Sequence, residues 1–512
     1  MDSISRSAFM EDIFNPSTII IWLLATLVLY LLSIIAYNLL LHPLRSYPGP
    51  LLYRALPFFL DYQTYIGTLI RTTAALHSTY GPVVRISPNQ LSFTSGQIYQ
   101  DVWAHKAGHP EWPKDPMRGN KPPNGLPNIL ASEKEDHARY RRLLAHAFSE
   151  KGLQEQQPQI KYFVDLLIDR LGEFAKSGGE LDMVKWYNMT LFDLIGDLAW
   201  GETFHCLRDR RVHEWIPIVY ESVRFVIMRG IFRQYGLDFL TPYFVSKKTQ
   251  ADRMQGYVFT KAKIEKRIAL GAVRGDFWDR VMIKSADGNA KGEGMSEGEM
   301  LNNASVLILG GSETSATTLS GATYLLLKSP EKMVRLVDEI RSEFKSPEEI
   351  DALSVGRLKY LLAVIEEAMR VYPPVPAPVQ RLAPKGGGVA CGKHVPEGTC
   401  VSVSVFGACH DPANFHRPDD FVPERWLDDA PAEFANDDRS AHRPFVEGTR
   451  NWQVAIIGRN LAYAEMKLIL AKVLWHFDFE LMSDKTGDWF EQKAWALWDK
   501  KPLYVKVREA KR

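Results

Sequence analysis

An acid and an alcohol stand side by side, just after a pair of glycines, in the stretch "LILGGSETSATTLSG". Gly310 and Gly311 lack side chains, and each weakens a helix by ~1 kcal/mol relative to alanine, a cost that usually serves a close approach. A flat ligand could lie against the glycines while Glu313 and Thr314 face a buried cavity and relay protons to it. The competing interpretation, which this stretch taken alone favours, is tight helix packing through small residues.

Three charged residues further along the chain have the residue types of an ion-pair network. Glu367 and Arg370 in "EEAMR" are spaced i, i+3, so they share one face of a helix. An exposed pair of this kind is worth only ~0.2 to 0.5 kcal/mol, so E-x-x-R alone is weak evidence. Arg425 in "FVPERW" could join the pair and complete a buried network. The order of four motifs along the chain is more informative, because it is unlikely to arise by chance: G-G-x-E-T, then E-x-x-R, then P-E-R, then F-x-x-G-x-R.

Helices are needed to position most of these residues. Ser296 and Glu299 form an S-x-x-E capping box, which predicts the start of the longest helix of the body. The periodicity of apolar residues predicts helices at residues 135–148, 159–175, 183–199, 211–228, 249–269, 296–328 and 363–371. Short β-branched runs predict strands at 82–87 and 400–406, and the polar residues 284–294 are typical of a solvated loop. The predicted fold class is therefore mainly α with a small β region.

The composition is that of an ordinary globular protein, with 46% hydrophobic and 24% charged residues. A net charge of +1 provides no global field to attract nucleic acid, so we expect no nucleic-acid partner. The four cysteines include no C-x-x-C pair, which argues against a disulfide framework or a zinc site and suits a reducing compartment. No repeat or low-complexity tract divides the chain, so one large domain is plausible.

An uncharged apolar run at residues 19–41 is long enough to cross a hydrocarbon core of ~30 Å as one helix. Acidic residues predominate before the run, while Arg45 and Arg54 follow it, so the positive-inside rule places the main body in the cytosol. We predict a lumenal N-terminus at 1–18, a transmembrane anchor at 19–41, a proline-rich hinge at 42–50 and the body at 51–512.

With these residues assembled, the chain resembles a fungal microsomal cytochrome P-450, a haem-thiolate monooxygenase, from "HPLRSYPGP" to the carboxyl end. The resemblance implies a single large helical P-450 fold and makes residues 51–512 the catalytic domain. It also implies haem b as cofactor, NADPH through a separate reductase, and a lipophilic small-molecule substrate, in fungal secondary-metabolite biosynthesis. The implied location is the endoplasmic reticulum membrane, with a single span and the body facing the cytosol.

The roles of individual residues follow from this resemblance. Glu313 and Thr314 would be catalytic, and Glu367, Arg370 and Arg425 would be a structural triad that supports the cysteine loop. His137 and Arg141, spaced i, i+4 in "DHARYRR", would face a haem propionate, for which the alternative is a salt-bridged surface helix. The residues implied in cofactor binding are His137, Arg141, Gly310, Gly311, Arg381, Phe445 and Arg450.

The cysteine that would bind the iron is missing from its loop. In the family, the loop that begins at Phe445 reaches Arg450, and the cysteine follows two residues later, where this chain has Trp452. Counted backwards from Gly458, the glycine that opens the next helix, the same place falls on Ile456. An indole offers only an N–H donor and a saturated side chain offers nothing, so neither supplies the anionic sulfur that the chemistry requires. No metal ligand is therefore identified.

Three explanations of the altered loop stay open. The chain is a catalytically dead paralogue, or it uses the same fold to bind a lipophilic ligand or a partner, or a misplaced splice junction has replaced a short piece that contained the cysteine. The second explanation supplies the alternative function, a non-catalytic binding protein. If a flavoprotein reductase does dock, its acidic surface would meet basic residues near the loop, for which Arg459, Lys467 and Lys472 are candidates, unless they only form a solvated helix face.

Overall fold

The computed structural model describes residues 15–104, 110–115, 122–288, 293–445 and 458–511. These residues form many helices and a few short strands, which confirms the predicted fold class. The helices of the first half are α1 Pro16–Ala36, α2 Leu51–Ala55, α3 Phe58–Ile66, α4 Leu69–Tyr80, α5 Lys134–Leu144, α6 Glu150–Ser177, α7 Met183–Trp200, α8 Cys206–Asp209 and α9 Trp215–Gln234. The later helices are α10 Thr241–Phe244, α11 Lys247–Ala269, α12 Asp279–Gly288, α13 Glu297–Lys328, α14 Pro330–Glu343, α15 Lys359–Val371, α16 Val405–Cys409, α17 Arg459–His476 and α18 Ser483–Thr486.

Three small sheets complete the fold. The strands are β1 Val83–Ser87, β2 Gln90–Phe93, β3 Glu180–Asp182, β4 Val379–Leu382, β5 Gly388–Ala390, β6 Lys393–Val395, β7 Cys400–Val403, β8 Phe477–Leu481 and β9 Tyr504–Glu509. One sheet has the order β1-β2-β7-β4, in which β2 and β7 are parallel. A second has the order β3-β9-β8, and β5 pairs with β6. The second sheet brings the carboxyl-terminal segment back to residue 180 at the start of α7.

Helix α13 forms the centre of the core together with α7. It begins at the predicted capping box, where the Ser296 side chain accepts from the Glu299 amide and the Glu299 side chain accepts from the Ser296 amide. Nearly every residue of α7 is buried, and α7 lies along α13. Two polar contacts fix this pairing: Ser312 donates to the Leu191 carbonyl at 3.0 Å, and the hydroxyls of Tyr187 and Thr323 are 2.9 Å apart.

Several predicted element bounds were wrong. Helix α6 begins at Glu150, because the Ser149 side chain caps it by accepting from the Gly152 amide, and Pro158 is accommodated inside it. Helix α12 continues to Gly288, so the first part of the predicted 284–294 loop is helical. The predicted strand at 400–406 ends at Val403, and α16 begins two residues later.

The apolar run near the amino end is a helix. Helix α1 continues as a π-helix to Leu41. Within this 26-residue span, an 18-residue apolar window has a mean hydropathy of 2.7, and none of that window is buried. Asn15 caps its start by accepting from the Ser17 amide. Its end is tied to the body, because buried Arg85 donates to the Asn38 carbonyl at 2.9 Å. Length and composition therefore make this helix a candidate membrane span.

Candidate active site

Glu313 lies in the middle of α13 and is completely buried. Its Oε1 accepts from the Lys500 ammonium at 2.5 Å and from the Thr317 hydroxyl at 3.3 Å, and its Oε2 accepts from the Tyr220 hydroxyl. Thr314 turns its hydroxyl to its own helix and donates to the Gly310 carbonyl at 2.7 Å. The acid and the alcohol are therefore adjacent as predicted, but both carboxylate oxygens already have partners in this structure.

Those partners come from distant parts of the chain. Tyr220 reaches Glu313 from α9, and Lys500 from the segment between α18 and β9, while Thr317 is one turn further along α13. The Lys500 side chain is only 4% exposed. Burial lowers the pKa of Lys500, an effect that the Glu313 carboxylate opposes. Burial also raises the pKa of the Tyr220 hydroxyl, and the neighbouring carboxylate raises it further. The Tyr220 phenol therefore keeps its proton at neutral pH.

The backbone around Lys500 is held in place by indole hydrogen bonds. The Trp498 indole donates to the Pro373 carbonyl at 2.8 Å, and the Trp489 indole donates to the Lys501 carbonyl at 2.8 Å. The Trp498 ring also stacks on Tyr372, with 4.9 Å between the ring centroids. The ammonium therefore occupies a fixed position above α13.

The two glycines of α13 differ in what surrounds them. A Cβ at Gly311 would lie 3.2 Å from the Ile195 Cδ1 atom, so this glycine permits the close approach of α7. That contact agrees with the small-residue packing interpretation. Gly310 instead offers its carbonyl to Thr314. Contact of a flat ligand with the two glycines stays a prediction.

Glu367, Arg370 and Arg425 come together in a buried network. Arg370 donates twice to the Glu367 carboxylate at 2.8 Å, and Arg425 donates to it at 3.1 Å. The Val422 amide and the Trp426 indole also donate to this carboxylate, each at 2.8 Å. Burial alone would raise the pKa of Glu367, but Arg370 and then Arg425 hold it below its ordinary value.

The network extends beyond the three predicted residues. Arg425 also donates to the Asp437 carboxylate at 2.5 Å, and Arg370 donates to the Cys409 carbonyl at 2.7 Å. Asp437 was not predicted, because its spacing from the P-E-R motif carries no periodic signal. These contacts fix residues 409–437, which precede the predicted cysteine loop.

The residues predicted to bind the haem edge lie on two elements. His137 is buried on α5, and Arg141, one turn later, is exposed. Arg381 is buried in β4. A core cluster that contains sequence neighbours of Arg381 also contains Tyr99 and Trp103. Within the described ranges, the Tyr99 hydroxyl and the Trp103 indole N–H are buried without a hydrogen-bond partner. Binding of a haem propionate by His137, Arg141 and Arg381 stays a prediction. Arg450 lies outside the described residues.

Trp452 and Ile456, which stand where the family cysteine is expected, lie outside the described residues, so the loss of that cysteine stays a prediction from the sequence. Just before this loop, Phe445 packs its ring 5.3 Å from that of Tyr463. Burial raises the pKa of the Cys409 thiol to about 12 and that of Cys391 to about 11, so both keep their protons at neutral pH. In the part of the chain that the structure describes, no group of three or more metal-binding side chains occurs.

The candidate docking residues near the loop are not equivalent. Arg459 is exposed and Lys467 is half-buried. Lys472 is buried and pairs with Asp165 of α6, which makes its assignment to a docking surface wrong. The sequence did not reveal this, because a lysine on a helix normally faces solvent.

Comparison with known proteins gives the family. The cytochrome P450 family model matches residues 50–507. The chain is 45% identical over 485 residues to a versicolorin B desaturase of Emericella nidulans, covering 94% of this chain and 96% of that protein. It is 46% identical over 491 residues to an averantin hydroxylase of Dothistroma septosporum, covering 94% and 90%. It is 46% identical over 470 residues to a cytochrome P450 monooxygenase of Penicillium aethiopicum, covering 92% and 87%. The resemblance predicted from the motifs is confirmed, and the chain belongs to the cytochrome P450 family.

Proposed function

We propose that the protein has the architecture of a haem-dependent monooxygenase for a lipophilic small molecule of fungal secondary metabolism, and that the altered loop impairs its oxygenase activity. The observation that carries the proposal is the buried acid of α13 beside Thr314, in a chain of this family. Haem, when bound, supplies the iron at which the family activates oxygen. His137, Arg141, Arg381 and Arg450 would hold its propionates, and Glu313 and Thr314 would hold protons beside it.

The membrane anchor supports a lipophilic substrate. The length and apolar composition of helix α1 and its π-helical continuation support attachment of the body to a bilayer, from which an apolar molecule would enter without crossing water. Basic residues that follow the span support a cytosolic orientation, in this proposal at the endoplasmic reticulum. In this proposal the membrane is both the site of attachment and the source of substrate.

The alternative is a binding protein of the same fold that holds a ligand without oxidising it. The reduced full-length protein, measured with carbon monoxide, separates the two. We expect a haem spectrum without a thiolate-type Soret band, because burial keeps the Cys391 and Cys409 thiols protonated and residues 446–457 include no cysteine. Protein purified free of haem, and unable to take it up, would support the binding role. A thiolate-type band would refute the impairment.

Electrons would come from NADPH through a separate reductase with an acidic docking surface. Reversing the charges of Arg459 and Lys467 should slow reductase-driven reduction several-fold at low salt, since rim charges act mainly on the association rate. Stopped-flow reduction, in a form with the cysteine restored, is the measurement. Lys261→Glu, an exposed reversal on α11, serves as the control. If Lys261→Glu slows reduction as much as the reversals at Arg459 and Lys467 do, these two residues are not part of the docking interface.

A further inference from the structure

One face of the β1-β2-β7-β4 sheet is polar although it is buried. Gln380 of β4 lies opposite Ser402 of β7, and Val379 lies opposite Val403. Because successive residues of a strand point to opposite faces, Gln380 and Ser402 share one face and the two valines share the other. Gln90 of β2 is on the polar face too, since its side chain donates to the Ser402 hydroxyl at 3.4 Å. Amides and hydroxyls therefore occupy a sheet face that is normally apolar when it is covered.

A cavity of about 140 Å³ lies between this polar face and α9. The sheet side contributes Gln90, Gln380 and Ser404, and α9 contributes aliphatic side chains that include Val226 and Ile231. A few placed polar groups in a mainly apolar pocket are typical of a small-molecule site. Among the described residues, no lysine, arginine or histidine lines the cavity, so no lining cation would offset the charge of an anionic ligand.

Two of the lining side chains make no hydrogen bond within the described part of the chain. Ser404 stands at the N-cap of α16, where a serine hydroxyl normally accepts from a helix amide, yet it makes no capping hydrogen bond. Gln380 offers its backbone carbonyl to the Arg381 guanidinium at 2.9 Å, but its side-chain amide makes no such contact. A polar group that loses water without gaining a partner is costly. A ligand in the cavity would supply both partners.

Asp61 is the charged residue in the described lining, and neutral donors already contact it. Its Oδ2 atom accepts from the Tyr235 hydroxyl at 2.6 Å and from the Gln234 side chain at 3.3 Å. Burial raises the pKa of Tyr235, and the hydrogen bond to Asp61 raises it further, so the phenol keeps its proton. These contacts stabilise the carboxylate without a ligand cation. The cavity therefore favours a neutral molecule.

This cavity is separate from the predicted haem site. Arg381, the predicted propionate partner, follows Gln380 in β4 and so belongs to the opposite face of the sheet. The described lining includes neither Glu313 nor Thr314. Along α9, Val226 lies six residues after Tyr220 (226 − 220), or about 9 Å further along the helix than the contact with Glu313.

We propose that the cavity binds a small neutral aromatic alcohol. Its hydroxyl donates to the side-chain carbonyl of Gln380, and its oxygen accepts from the Ser404 hydroxyl. A cavity of about 150 Å³ holds a molecule of the size of benzene, so the ligand has a single ring. A rigid ring also loses little conformational freedom on binding. The inference goes beyond the proposed function, because it assigns a second site that requires neither haem nor the missing cysteine.

Binding of 4-fluorophenol and of its methyl ether, 4-fluoroanisole, tests the hydrogen bonds. Full-length protein in lipid nanodiscs is titrated by fluorine NMR of the probe, with protein-free discs subtracted. The probes share one ring, but only the phenol can donate to Gln380. Gln380→Leu should weaken binding of the phenol about fivefold and leave the ether within about twofold, as fits one neutral hydrogen bond. Ser404→Ala should act in the same direction, and Gln154→Leu, at an exposed position of α6, should change neither probe.

Filling the cavity tests its position. Gly230 of α9 lines the cavity, and a Cβ at this residue would meet no heavy atom within 4 Å. Gly230→Leu should therefore weaken binding of both probes at least about tenfold. Gly356→Leu is the matched control, because that exposed glycine also has no heavy atom within 4 Å of an added Cβ and lies outside the cavity lining.

Three results would overturn the proposal. They are absence of binding by either probe, equal binding of the two probes in the unchanged protein, and binding that survives Gly230→Leu. A fourth concerns Asp61: tighter binding of the cation 4-fluorobenzylamine than of 4-fluorophenol, lost in Asp61→Asn, would assign the cavity to amines instead. None of these results bears on the carbon monoxide spectrum, so the proposed function stands or falls separately.

Discussion

Replacing residues 452–457 by a cysteine and one aliphatic residue should give a protein whose reduced carbon monoxide complex shows a thiolate-type Soret band. The change removes four residues and restores the family spacing between Arg450 and Gly458. The effect should be all or none, because neither Trp452 nor Ile456 can supply an anionic sulfur to the iron. The measurement is the difference spectrum of the reduced protein with carbon monoxide minus the reduced protein without it, with haem content determined on the same sample.

A matched control separates the ligand from the loop length. The same shortened loop with serine in place of cysteine has the restored spacing without the thiol, so it should bind haem without the thiolate-type band. If the cysteine form fails to bind haem, the pocket has changed elsewhere, and the loop is not the whole lesion. Transcript sequencing addresses the splice explanation, under which a shorter product would encode Asn451, Cys, one further residue and then Gly458. A Trp codon is one base from either Cys codon, so a junction inside that triplet accounts for the change.

Glu367→Ala should strongly lower the stability of the folded protein. The substitution removes the acceptor shared by Arg370, Arg425 and the Trp426 indole, and leaves two buried guanidinium groups without their common carboxylate. Breaking a buried pair costs roughly 3 to 5 kcal/mol, a large part of the 5 to 15 kcal/mol that stabilises a typical protein. Near-ultraviolet circular dichroism and the thermal midpoint of the purified protein measure the loss.

The control for this prediction is Glu173→Ala, which removes an exposed carboxylate that pairs with half-buried Arg170 and exposed Arg210. That change should cost under about 1 kcal/mol. A Glu367 variant as stable as the Glu173 variant would show that the network contributes nothing to folding.

The stability that the Glu367 network contributes should depend on pH. The two arginines hold the pKa of Glu367 below its ordinary value, against the effect of burial. Its contribution to stability is therefore complete above the unfolded pKa of about 4.3, and is lost as pH falls through the lower folded value. The thermal midpoint of the unchanged protein should accordingly decline in acid.

Local features of this fold could be predicted from the sequence, and long-range partners could not. The Ser296 and Glu299 capping box and the i, i+3 pair of Glu367 and Arg370 depend on neighbours within one helical turn, and the structure has both. Lys500 is 187 residues from Glu313 (500 − 313), and no periodicity relates the two. The same limit applies to Arg425 with Asp437 and to Lys472 with Asp165, since each pairing depends on how separate elements pack.

The pairing of Glu313 with Lys500 also has a consequence for biosynthesis. At about 5 to 20 residues per second, translation of the intervening 187 residues (500 − 313) takes roughly 10 to 40 s. During that interval Glu313 of α13 has been made, but its partner Lys500 has not. Strand β3 also has no partner, because residues 504–509 of β9 have not been made. The core contacts that close the fold can therefore form only after the last residues of the chain have been made, however fast the helices form.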